Sequence, residues 1–139
     1  RMVPHHTTPP SAEDIASLAE TALCALPEEL RVSVRNLAIA VEEVPDDETL
    51  EEMGLEHPWE LTGLYRGVPL TERSTGDLPR EPDMITLYRE PILVEWVETG
   101  EDLFRLVRNV IIHEVGHHFG FSDEEIARLE GEGDEAAPG

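Results

Sequence analysis

Apolar residues fall at helical spacing in two long stretches and alternate in shorter ones. Ile15, Leu18, Ala19, Ala22 and Leu26 recur every three or four positions behind Ser11, with Glu13 and Asp14 in the first turn. That spacing predicts a helix over residues 12–26, which Pro27 ends. Leu37, Ile39 and Val41 alternate and Pro45 closes the run, as in a strand. Residues 46–53 begin with acids and stop at Gly54, the pattern of a short capped helix. Residues 61–66 and 84–88 are the next strand candidates. Between them, residues 67–82 are rich in Gly, Pro and charge, a loop by composition. Residues 91–97 fit a helical turn or a strand equally well.

The strongest pattern lies further on. Thr99, Gly100, Glu101 and Asp102 open a helix running to about Phe119, where Gly120 can supply a left-handed terminating conformation. Leu103, Leu106, Val107, Val110, Ile111, Val115 and Phe119 wrap most of its circumference, so it belongs at the centre of the domain. Ser122 and Glu125 then form a capping-box pattern for a last helix over residues 123–129. Residues 1–10 hold three prolines and no apolar period, and read as a flexible lead-in that includes His5 and His6. Residues 131–139 read as an acidic, unstructured tail. The folded unit is expected over residues 11–130.

Composition narrows the function classes. At 139 residues with 40% apolar content, the chain has one domain's worth of core-forming material. Against 31 acidic residues stand 10 basic ones, all arginine, for a net charge of −21. Such a field repels phosphate backbones and anionic lipid, which argues against nucleic-acid and membrane partners. It favours cationic substrates, or simply keeps the protein in solution. Cys24 is the single cysteine and has no internal disulfide partner; on a helix it reads as a packing thiol. No apolar run is long enough for a membrane span or a signal segment, so a cytoplasmic location is the expectation. The pattern leaves the oligomeric state open.

The chemistry sits on the central helix. His113 and His117 are four apart and lie one above the other, with Glu114 beside them within a sector of about 100°. Two imidazoles so placed can chelate one Zn²⁺, and the adjacent carboxylate is positioned for proton transfer to and from water at the open position. A catalytic zinc usually takes three protein ligands. Gly120 allows a sharp turn, and Asp123 follows six residues after His117, giving H-E-x-x-H-x-x-G-x-x-D. In a shuffled chain of this composition H-E-x-x-H arises ~0.04 times and the extended string ~0.0002 times, so only the longer one is specific. Asp123 has a competing role at the start of the last helix, where a carboxylate suits the dipole; Glu124 and Glu125 are then the substitutes. His118 points about 100° away from the pair, towards packing or a supporting role. Tyr65, Tyr88 or an arginine are candidates for stabilising an oxyanion.

The segment HEVGHHFGFSD (residues 113–123) resembles the zincin superfamily of metallopeptidases. Together with GLYRGVPLTERS (residues 63–74) and LPREPDMITL (residues 78–87), it makes the chain resemble the small zincin-like metallopeptidases of bacteria, sometimes called minimal metalloproteases. The resemblance covers residues 34–126. It implies an α+β fold with a small twisted mixed sheet packed on a central active-site helix. It also implies one Zn²⁺ per chain held by His113, His117 and Asp123, Glu114 as general base, and a peptide substrate. Met2, Met53 and Met84 all precede the motif, so the methionine turn that floors the metal in larger relatives is not expected. Two other readings use the same residues: a zinc amidohydrolase of small molecules, and a non-catalytic metal-binding module that engages a partner. An intact Glu114 speaks against the module, because a structural zinc site needs no base.

Overall fold

The computed structural model describes residues 8–32, 34, 36–67 and 82–136. Helix α1 (Ala12–Cys24) starts from a capping box in which the Ser11 hydroxyl accepts from the Asp14 N–H and the Asp14 carboxylate accepts from the Ser11 N–H. A short helix α2 (Glu28–Arg31) follows Pro27, which presets the dihedral needed to begin it. Strand β1 (Leu37–Glu42) leads to α3 (Asp47–Met53), capped by Asp46 and ended by Gly54 at φ 69. After a single 3₁₀ turn (Pro58–Glu60) come β2 (Gly63–Arg66) and β3 (Asp83–Tyr88).

The strand order is β1-β3-β2, with β1 parallel and β2 antiparallel to the central β3. Leu37 pairs with Asp83 and Val41 with Leu87 on one side, and Leu64 with Thr86 and Tyr65 with Ile85 on the other. Strand β2 is therefore an outer strand of a small mixed sheet, as the expected α+β fold requires. The expected strand at residues 61–66 is shorter by its first two residues, which lead into it from the 3₁₀ turn.

Residues 91–97, ambiguous in sequence, are helical. Helix α4 (Arg89–Thr99) accepts Pro91 because it stands in the first turn, where its missing N–H has no helical acceptor to satisfy. Gly100 ends α4 at φ 67, and Asp102 caps α5 (Leu103–His118) by accepting from the Arg105 N–H. Helix α5 packs against α1, α2, α4, α6 and β2, so it is central. Its Leu106, Val107, Val110, Ile111, Ile112 and Val115 are buried in one cluster with Ile15, Ala19 and Ala22 of α1 and Ile85 and Leu87 of β3.

The last helix, α6 (Asp123–Ala136), corrects the expectation of a tail beginning at residue 131. Residues 131–136 continue the helix, through Gly131 and Gly133. At the other end, Arg89 Nε donates to the Pro10 carbonyl at 2.7 Å, so the lead-in is already tied down by Pro10. His5 and His6, most of the 67–82 loop and the last three residues lie outside the described residues. No helix among the described residues is long and apolar enough to cross a membrane.

Candidate metal centre

The last turns of α5 carry the motif, and the way the helix ends decides where the chain goes next. The Phe121 N–H donates to the Gly116 carbonyl at 2.9 Å and the Gly120 N–H to the His117 carbonyl at 3.1 Å. With Gly120 at φ 83, these two bonds form a Schellman motif. The chain thus reverses over residues 119–122 and restarts as α6. Ser122 caps α6: its hydroxyl accepts from the Glu125 N–H and its own N–H donates to the Glu125 carboxylate, both at 3.1 Å. The helix start is served by Ser122 and Glu125, and Asp123 is left on its first turn facing back towards α5.

There Asp123 Oδ1 lies 3.2 Å from His117 Nε2. The rings of His113 and His117 have centroids 4.4 Å apart at an interplanar angle of 62°. His113, His117 and Asp123 are thus neighbours in space as well as in sequence. Among the described residues, no three His, Cys, Asp or Glu side chains already enclose a metal-sized space. The donor set nonetheless suits zinc. Two ligand atoms on a tetrahedral Zn²⁺ at ~2.0–2.1 Å stand ~3.3 Å apart, close to the 3.2 Å between His117 Nε2 and Asp123 Oδ1. Asp123 is highly exposed and His117 half exposed, so both can rotate to close the set.

Burial shapes the electrostatics. It lowers the pKa of His113, and the neighbouring His117 lowers it further while Asp123 opposes. That direction favours the neutral imidazole, the form that ligates metals. Burial raises the Glu114 carboxyl, offset in part by His117 and by a hydrogen bond accepted from the Tyr65 main chain. His113 and Glu114 open into a groove of about 450 Å³, also lined by Thr62, Asn109, Glu95, Glu101 and Glu130. Burial is the main cause that raises the Glu95 carboxyl, followed by Glu101 and Glu98.

His118 turns away from the pair, as its angle on the helix requires, and stacks on Tyr65 with ring centroids 3.9 Å apart. The Tyr65 hydroxyl donates to Asp83 Oδ2 at 2.7 Å. Tyr88, the other tyrosine proposed for the oxyanion, is buried at 3% exposure, and burial raises its pKa. Glu95 and Glu130 of the groove, and Asp83, are not singled out by the sequence pattern. Their only signal there is that they are acidic, in a chain where acids are everywhere.

A small mixed sheet beside a central helix that carries two histidines and a glutamate is the architecture of a metallopeptidase. The model of the zincin-like metallopeptidases matches residues 34–133, and the chain belongs to that family. Membership points to a zinc-dependent peptidase. No curated protein matches the sequence.

Proposed function

We propose that the protein is a zinc-dependent peptidase in which His113, His117 and Asp123 hold one Zn²⁺ and Glu114 is the general base. The observation that carries this reading is the turn at Gly120, which sets Asp123 Oδ1 3.2 Å from His117 Nε2. When bound, zinc would polarise the scissile carbonyl and activate a water. Glu114 takes the proton of the attacking water and passes it to the leaving amine. Its partial burial supports that role, since a carboxyl with a raised pKa is a stronger base than a solvated one. The outer position of β2 supports an extended peptide as substrate, laid alongside the sheet edge.

Purified protein is expected to carry about one zinc per chain. His113→Ala and His117→Ala should each abolish that content; both variants holding zinc at the wild-type level would place the metal elsewhere. Glu114→Gln should keep zinc and fold while hydrolysis drops ~10²–10⁴-fold. A peptide library run beside small amides decides the substrate class. The groove volume lies within the range of small-molecule sites, so turnover of small amides alone would establish the amidohydrolase reading.

A further inference from the structure

Tyr65 makes contacts in three directions. Its ring lies on the His118 ring, centroid to centroid at 3.9 Å and 21° from parallel, and meets Phe119 edge-on at 6.1 Å. Its hydroxyl reaches sideways to Asp83 Oδ2 on β3, at 2.7 Å. Its main-chain N–H faces the Glu114 carboxylate and favours its charged form. Gly67 also comes close to His118: an added Cβ there would lie 2.7 Å from the imidazole Cε1 and 3.0 Å from Nε2. One short stretch of chain, residues 65–67, therefore grips the last turn of α5 through the residue that the motif leaves out.

We propose that Tyr65 is a positioning residue for Glu114: by stacking on His118 and bonding to Asp83 it locks β2 against α5, which fixes the main-chain N–H that holds the Glu114 carboxylate. This rests on the reading of Glu114 as general base. A glutamate has three side-chain torsions, and outside a fixed donor its carboxylate samples several rotamers. Proton transfer requires the carboxylate within ~2.6–3.2 Å of the reacting water, and a misplacement of about 1 Å can cost ~10²-fold in rate. Among the described residues, strand β2 is an outer strand, hydrogen-bonded within the sheet only to β3. The ring stack ties its far end to the last turn of the helix, beyond the close approach of Gly63 to Val110. His118 supplies a flat surface at the correct point of the helix, and it acts through Tyr65.

The test uses the full-length chain with Tyr65→Leu, Tyr65→Phe, His118→Ala, His118→Phe and Glu114→Ala. Protection of the residue 65 amide against hydrogen exchange is measured in zinc-free protein. Zinc content, kcat and KM are measured in the loaded enzyme, on a peptide the wild type cleaves. In the zinc-free wild type the residue 65 amide should be protected, and Glu114→Ala should remove that protection. Tyr65→Leu and His118→Ala should each lower the protection and cut kcat by ~10-fold or more, with KM and zinc content within about twofold of wild type. His118→Phe should restore both quantities, and Tyr65→Phe should retain most of them, because each keeps the stack. If Tyr65→Leu fails to fold, His118→Ala and His118→Phe make the same comparison. Full protection and unchanged kcat in His118→Ala overturn the proposal, as does loss of zinc in step with kcat. A Glu114→Gln variant as active as wild type would instead remove the general base, whatever the amide does.

Discussion

A methyl group on residue 116 would lie 2.7 Å from Ile126 Cγ1 and 2.9 Å from Cδ1. Helix α6 therefore reaches the histidine pair because the residue between Glu114 and His117 on its packing face has no side chain. Gly116→Ala should cost ~1–3 kcal/mol by overpacking and should also weaken zinc binding, since α6 carries Asp123. Thermal denaturation and competitive zinc titration check the two effects, and a variant that loses neither would mean that Ile126 swings aside freely. Asp123 and Glu125 divide the remaining work. Asp123→Ala should weaken zinc at least ~10-fold, with Asp123→His recovering much of it, whereas Glu125→Ala should lower the melting temperature and leave zinc affinity alone. Glu95 tests the groove. Its folded pKa is raised, so ionisation opposes folding: no penalty exists below the unfolded value near 4.3, and the penalty grows as pH rises through the folded value. Glu95→Gln should thus raise the melting temperature at pH 7 and change little at pH 4. The motif residues were legible because their spacing on one helix is their geometry. The positions of Tyr65, Asp83 and Glu95 were not, because no short-range pattern says which strand or helix comes to rest beside α5.

The elements divide in the same way. Helices α1, α3 and α5 announce themselves through period and caps: Ser11, Asp46 and Asp102 each accept from the N–H three residues on. Helix α4 hides because Ile92, Leu93 and Val94 run consecutively and Pro91 reads as a breaker, though it stands in the one turn that tolerates it. The far end of α6 departs from its local sequence pattern for another reason. Gly131 and Gly133 each cost ~1 kcal/mol in a helix, and the acids at residues 130, 132, 134 and 135 oppose the dipole at a C-terminus. Local propensity argues for a tail, and the structure continues the helix regardless. That extension should be weakly held. Removing residues 131–139 is expected to leave the melting temperature within ~2 °C and the zinc content unchanged, because among the described residues Leu129 is the last in the buried cluster. A larger drop would show that the final turns brace α6.

At the scale of the whole molecule, charge and topology set the behaviour. With 31 acids against 10 arginines, self-repulsion opposes the compact state. The ion pairs that answer it include Arg66–Glu52, Arg89–Glu43 and Arg128–Glu29, each with partners at least partly exposed and therefore weak. Raising salt from ~10 mM to ~0.5 M should increase the melting temperature by several degrees, since screening relieves the repulsion more than it weakens those pairs. A flat or falling dependence would show that the pairs dominate. The three proposed ligands, by contrast, occur within one helix and its following turn, from His113 to Asp123. The loop that must close to gather them is short, and closure entropy grows only with the logarithm of length, so an unfolded chain can assemble much of the same set. The metal then has affinity for both ends of the folding equilibrium, and its thermodynamic grip on the native state shrinks accordingly. Zinc should raise the unfolding midpoint by less than its affinity for the native protein implies, and it should speed folding by pinning α5 to the start of α6 before the distant strands have met.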